Sequence, residues 1–200
     1  MERVIVASHN KKKIKELEEI LKTYGYNPVT RDEAGVDPNF EVVEDGTTFE
    51  ENSFKKASQI CQKTGEITIA DDSGLVVDAL DGAPGVYSSR YAGKDGDSKA
   101  NNDKLLQELK GVPWDKRTAR FVAVIALCFP DGRVIEARGE VEGTIAEDYI
   151  GTGGFGYDPL FIPCGYDTSF AVLGSEVKHQ IGHRGKAIKA LDEKMKNIKD

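Results

Sequence analysis

Cysteine is scarce and unpatterned in this chain of 200 residues: Cys61, Cys128 and Cys164 stand far apart, with no CxxC pair. That speaks against a disulfide framework and a thiolate zinc site, and a reducing compartment fits best. Long apolar runs are missing too. The stretch Val4 to Ala7 is far too short for the apolar core of a secretion signal, and nothing later approaches the ~20 residues of a membrane span, so a cytoplasmic location without a membrane partner is expected. Positive charge is in deficit, with 27 Lys and Arg against 34 Asp and Glu and a formal net charge of -7. That disfavours a general basic surface for duplex nucleic acid, and any phosphate site must be a local cluster. Internal repeats, low-complexity linkers and a visible domain boundary are absent as well. The expectation is a single domain over residues 1–200, or two small lobes sharing a core.

What is present reads as alternating strands and helices. Val4-Ile5-Val6-Ala7 is a β-branched apolar run, and Ile14, Leu17, Ile20 and Leu21 follow at helical spacing up to Gly25. A Pro/Asp/Gly-rich stretch from Asn27 to Gly46 reads as loop. Thr47-Thr48-Phe49-Glu50-Glu51 then offers capping-box spacings for a helix through about Lys63, with Phe49, Phe54 and Ile60 on its apolar face. Ile67 to Ala70 and Leu75 to Val77 read as two strand-like runs flanking Asp71-Asp72-Ser73-Gly74. Asp81 to Asp97 reads as loop, Ser98 to Lys110 as helix, and Ala119 to Phe129 with Val134 to Val141 as strands joined by the turn-forming Pro130-Asp131-Gly132-Arg133. A short apolar run, Leu160 to Ile162, and a helix from about Arg184 to Asn197 close the pattern. It predicts an α/β protein with a mixed sheet, in two lobes with a cleft between them.

Four segments carry candidate chemistry. Ser8-His9-Asn10-Lys11-Lys12-Lys13 lies where a buried strand turns into a helix, so backbone N–H groups and the positive end of the helix dipole face the loop. Either Ser8 or Asn10 simply caps the helix, or an anion offsets three lysines that oppose the dipole. Asp71 and Asp72 are adjacent carboxylates at the end of an apolar strand. They need a metal ion, most naturally magnesium, or a proton, unless Asp72-Ser73-Gly74 is only a turn. Glu41 and Glu44 are candidate further oxygen ligands. Gly151-Thr152-Gly153-Gly154-Phe155-Gly156 matches GxGxxG, but Pro159 and the apolar run beyond it deny the helix that the dinucleotide fingerprint requires. Close approach to a ligand, with Phe155 stacking on a base, suits it better. His179 and His183 have HxxxH spacing that Gly182 and Gly185 weaken, whereas Lys178, His183 and Arg184 bring donors and positive charge suited to phosphate or a carbonyl-bearing base.

Taken together, Ser8-His9-Asn10 with Lys13, Glu44 to Asn52 with Lys56, Ala70 to Leu75, Gly82 to Tyr91, Gly151 to Pro159 and His183-Arg184-Gly185 resemble the inosine triphosphate pyrophosphatase family, the XTP/dITP diphosphatases. The resemblance runs nearly the whole chain, departing at Ser8-His9, where the family more often has Thr-Gly. It implies an elongated α/β fold with a long central mixed sheet, flanking helices and two lobes around an active-site cleft. It also implies a cytoplasmic homodimer that hydrolyses ITP, dITP and XTP to monophosphate and pyrophosphate with Mg2+, without a stable nucleic-acid complex. By the same resemblance Asp72 is base or metal ligand, Asp71 supports it and Glu44 is the second metal contact. Lys13, Lys56 and Lys178 neutralise the triphosphate, the loop Ser8, His9, Asn10, Lys11, Lys12 and Lys13 cradles it, and Ser73 touches substrate. Phe155 stacks on the base. His183 and Arg184, with backbone N–H groups of the Gly154 to Asp158 loop, are hypothesised to read the purine 6-carbonyl, and Gly156, Tyr157 and Asp158 of that loop bind substrate. The rivals are a pyrophosphatase for modified pyrimidine nucleotides and a non-catalytic nucleotide-binding module.

Overall fold

The computed structural model describes residues 2–199. Six strands form one sheet in the order β2-β1-β3-β4-β5-β6. The strands are β1 (Arg3–Val6), β2 (Asn27–Thr30), β3 (Thr68–Val77), β4 (Thr118–Cys128), β5 (Val134–Ile145) and β6 (Phe161–Pro163). Strand β1 runs parallel to both β2 and β3, whereas β5 and β6 are antiparallel, so the sheet is mixed as expected. The helices are α1 (Lys11–Thr23), α2 (Phe49–Thr64), α3 (Ser98–Glu108), α4 (Phe170–Ile181) and α5 (His183–Lys199).

Two compact units share these elements. The first comprises the described residues of Met1–Asp72, Ala123–Gly139 and Arg184–Asp200, and the second comprises Ser73–Val122 and Glu140–His183. Each unit is assembled from separate stretches of chain, so no linker marks a boundary in the sequence.

In the first unit, alternation along the strands sorts the core into two layers. Val4, Val6, Ile69, Ala123, Ile125 and Leu127 pack with Leu17, Ile20 and Leu21 of α1 and with Ala187, Ile188, Leu191 and Met195 of α5. Their neighbours Ile5, Ala7, Ala70, Ala126 and Cys128 pack with Ala57, Ile60 and Cys61 of α2. Strands covered by helices on both faces need apolar residues at every position, which is why β1 reads as an unbroken run. Burying each such Leu or Ile stabilises the fold by about 1.5–3 kcal/mol.

Helix α2 begins where its capping residues stand. Thr48 Oγ1 accepts the Glu51 N–H at 3.1 Å, and Glu51 Oε2 accepts the Thr47 N–H at 2.7 Å. Phe49 and Ile60 are buried, but Phe54 is exposed and does not share that face.

In the second unit, Leu75, Val77, Phe121, Val141, Ile145, Phe161 and Phe170 form the core with Leu105 of α3 and Leu109, which caps its C-terminus. Arg117 is buried there with every guanidinium nitrogen bonded. Nε donates to Ile145 O and Nη2 to Ala146 O, each at 2.8 Å, while Nη1 reaches Leu109 O at 2.8 Å and Val112 O at 3.3 Å.

Three local expectations are corrected. Asp71-Asp72-Ser73-Gly74 does not separate two strands, because β3 continues through it. The stretch read as loop after Asn27 contains β2, which pairs with β1 despite Pro28 because it lies at the sheet edge. The His179 and His183 spacing does not lie on one helix: α4 ends at Ile181, and Gly182 (φ -72, ψ 163) separates it from α5.

Candidate functional site

The candidate residues fall into two groups, one in each unit. In the first unit, β1 delivers the Ser8 to Lys13 loop. Asn10 caps α1, its side chain accepting the N–H groups of Lys12 at 3.1 Å and Lys13 at 3.3 Å, and Asn10 N–H donates to Ser8 Oγ at 3.1 Å. Capping therefore takes two of the donors that the sequence made available to an anion. Lys11 and Lys12 are exposed, while Lys13 folds inward to 3.8 Å from Asp71 Oδ2. Burial pulls the Lys13 pKa below its ordinary value, and Asp71 opposes that pull.

The two aspartates of β3 are both buried. Being consecutive in one strand, they leave it on opposite faces, as Ile69 and Ala70 do. Asp71 Oδ2 accepts from Arg184 Nε at 2.9 Å, and Arg184 Nη1 pairs with Glu16 of α1. Asp72 Oδ1 lies 3.4 Å from Lys56 Nζ on α2, which also reaches Glu44 Oε2 at 3.0 Å and donates to Asp71 O at 3.2 Å. Asn52 of α2 hydrogen-bonds the Asp72 carboxylate and accepts the Gly46 N–H at 2.8 Å. The two carboxylates still repel each other, and Lys13 and Lys56 act on both, while Arg184 pairs with Asp71.

Electrostatics separates these groups further. Burial raises the Asp72 pKa above its ordinary value, with Lys56 and Lys13 opposing. For Lys56, burial pulls the pKa down, but Asp72, Glu44 and Asp71 outweigh it and the net direction is up. Asp71 Oδ1 and Asp72 Oδ2 are buried without a hydrogen-bond partner among the described residues. No group of three or more His, Cys, Asp or Glu suited to a metal ion occurs among those residues. Mg2+ is nonetheless commonly held by only one or two carboxylates together with substrate phosphates, and Asp72 and Glu44 fit that pattern. Glu41 is exposed, and nothing in the structure brings it to this group.

In the second unit the glycine-rich loop closes on its own aspartate. Asp158 Oδ2 accepts the Phe155 N–H at 3.0 Å and pairs with Lys178 Nζ of α4 at 2.8 Å. Gly154 has φ +71, and a Cβ there would run into the Asp158 carboxylate. A Cβ on Gly153 would meet Ala171 O at 2.5 Å. Close backbone approach is real in this loop, but it is approach to the chain itself. Lys178 Nζ also lies 4.0 Å from the Phe155 ring centroid. Asn102 Nδ2 donates to Gly156 O at 2.9 Å, Tyr157 Oη donates to Ser88 O at 2.7 Å, and His183 stacks on Phe121 at 4.9 Å between centroids.

A family model described as the Ham1 family matches residues 4–194 of this chain. The chain belongs to the Ham1 family. Among Ham1-like relatives, the dITP/XTP pyrophosphatase of Desulforamulus reducens is 54% identical over 188 residues, covering 94% of this chain and 92% of its own. That of Clostridium perfringens is 48% identical and covers 99% of both. The Ham1 protein of Staphylococcus aureus has the same fold, with a TM-score of 0.86 at 39% identity over 98% of this chain and 99% of its own. The Coxiella burnetii HAM1 protein gives 0.87 at 36% identity, covering 98% and 100%.

Measured against this Ham1 chain, the sequence reading located Lys13, Glu44, Lys56, Asp71 and Asp72, which the first unit brings together. It missed Glu16 and Asn52, whose partners Arg184 and Asp72 are remote in sequence. Spacing was their one signal, since Glu16 stands one helical turn after Lys13 and Asn52 one turn before Lys56. Arg184 is turned onto Asp71 and Glu16. Ser73 is half-buried in β3.

Proposed function

We propose that this protein hydrolyses the non-canonical purine nucleoside triphosphates ITP, dITP and XTP between the α and β phosphates, releasing nucleoside monophosphate and pyrophosphate. The observation that carries this reading is the buried Asp72, with one oxygen unengaged, beside Lys56 and Glu44. Supporting it, the relatives 44–54% identical to this chain bear the name dITP/XTP pyrophosphatase.

Phosphoanhydride hydrolysis needs charge neutralisation on the phosphate oxygens and a base that orients water in line with the leaving group. Lys13 and Lys56 supply the cations, Lys56 being kept protonated by its three carboxylates. Asp72 is the base of choice: burial raises its carboxyl pKa above the ordinary value, so it takes a proton more readily than a solvated aspartate does. Its Oδ2 is the atom that receives the proton from water. Asp71, fixed by Arg184, holds that strand in place. Asp72 and Glu44 would hold Mg2+, which when bound would draw negative charge off the phosphate oxygens. In the second unit, Phe155 stacks on the purine, and His183 with backbone N–H groups from Gly154 to Asp158 meets its 6-carbonyl. We infer a cytoplasmic homodimer; no helix among the described residues is long and apolar enough to cross a membrane.

The test is incubation with ITP and Mg2+ and analysis of both products. IMP with pyrophosphate is expected. Orthophosphate with a nucleoside diphosphate would overturn the cleavage site, a preference for modified pyrimidine nucleotides would favour the rival enzyme, and binding without turnover would favour a nucleotide-binding module. Light scattering during gel filtration tests the dimer.

A further inference from the structure

Arg31 immediately follows β2 and is 95% buried by its 5% relative exposure, yet it makes no ion pair among the described residues. Its Nη2 donates to Phe40 O at 2.5 Å, its Nη1 meets His9 Nε2, and its Nε has no hydrogen-bond partner. Buried guanidinium groups are normally fully bonded or paired. The same chain shows the contrast: Arg117, equally without a carboxylate in contact, has all three nitrogens on carbonyl oxygens. Arg31 is therefore not explained as a structural cross-link alone. Asp32, whose negative charge acts on Arg31, is exposed and makes no ion pair with it among the described residues.

The partner that distinguishes Arg31 is His9, an exposed residue of the loop between β1 and α1. A guanidinium only donates, so His9 Nε2 is the acceptor in this contact and Nδ1 is left as the ring's donor position. Arg31 thus does two things to the loop at once. It orients the imidazole, and it sets against His9 of that loop a buried positive charge that no ion pair among the described residues neutralises.

We propose that Arg31 is a positioning residue of the polyphosphate site, acting through His9, and that the substrate's polyphosphate is the counter-charge it lacks in the free protein. This rests on the reading that the Ser8 to Lys13 loop receives the triphosphate. The departure of this chain at Ser8-His9 gains a physical account: where a glycine would offer only its backbone N–H, His9 adds a side-chain donor, oriented from below by a buried cation.

The experiment measures the affinity of metal-free protein for inorganic tripolyphosphate and for IMP by calorimetry, alongside KM and kcat for ITP. Wild type is compared with Arg31→Gln, Arg31→Lys, His9→Phe, His9→Gln and the double variant Arg31→Gln/His9→Phe, with melting temperatures for each. We expect Arg31→Gln and His9→Phe each to weaken tripolyphosphate at least tenfold while IMP affinity changes less than threefold, and the KM for ITP to rise by more than kcat falls. The double variant should be no worse than about the poorer single one. His9→Gln, which can accept from Arg31 and still donate, should recover most of the loss seen in His9→Phe. If Arg31→Gln fails to fold, Arg31→Lys carries the test, with an intermediate loss confined to tripolyphosphate. A folded Arg31 variant binding tripolyphosphate as wild type does, or losses that simply multiply in the double variant, would overturn the proposal. Should wild type bind tripolyphosphate in an Arg31-dependent way yet hydrolyse no ITP, the enzymatic reading falls and this one stands.

Discussion

Replacing Lys178 by methionine tests whether the glycine-rich loop is organised around a buried ion pair. Lys178 Nζ lies 2.8 Å from Asp158 Oδ2, with side-chain exposures of 8% and 1%. Methionine keeps the length and apolar stem of lysine and removes the ammonium, leaving a buried carboxylate that retains the Phe155 N–H and loses its cation. Breaking such a pair from one side costs about 3–5 kcal/mol. For a chain of this size roughly 2–4 °C of melting temperature goes with each kcal/mol, so a fall of about 6–20 °C is expected. Urea unfolding gives the free energy directly. Adding Asp158→Asn to Lys178→Met removes the stranded charge while keeping an acceptor for Phe155, and should restore most of the loss. A single variant that loses under about 1 kcal/mol, or a double variant in which the losses add, would refute the argument.

Three further outcomes follow from the same geometry. Asp72→Asn should cost about 10²–10⁴-fold in turnover. Its stability should also gain on wild type as pH rises above the ordinary carboxylate value of 3.8, because burial raises the Asp72 pKa: the folded state then holds that proton more tightly, and its stabilising contribution is lost as pH climbs through the folded value. Urea curves at pH 4 and pH 8 showing no change in the difference would contradict this. Gly154→Ala should destabilise by about 2–5 kcal/mol, combining a left-handed backbone at φ +71 with a collision at Asp158, and near-wild-type unfolding would show that the loop simply opens. Leu17→Ala, at a fully buried position between α1 and the sheet, should cost about 2–5 kcal/mol by urea titration while leaving the ITP KM within threefold.

Much of this protein was legible in its sequence because the signals are local. A β-branched run, helical spacing, a capping box and Gly or Pro punctuation report on neighbours a few residues away, and β1, α1, α2, α3, β4, β5 and α5 lie close to where those signals put them. Asp71 and Asp72 were legible because charge in an apolar strand is costly unless something answers it, whereas Glu44 read only as a loop carboxylate and Lys56 came from the family resemblance alone. Strand β2 and helix α4 were not legible. The first is four residues of edge strand containing a proline, and the second is a helix interrupted by Gly174 at φ +84, so both owe their existence to the surfaces they pack on. The partners of the charges also lay beyond sequence. That Asp71 belongs with Arg184 and Glu16, that Asp72 belongs with Lys56 and Asn52, and that Arg31 reaches back to His9 depend on which helices cover which face of β3 and on which strand lies beside β1. A one-dimensional string specifies the side on which each residue of a strand emerges, but only packing decides what waits there.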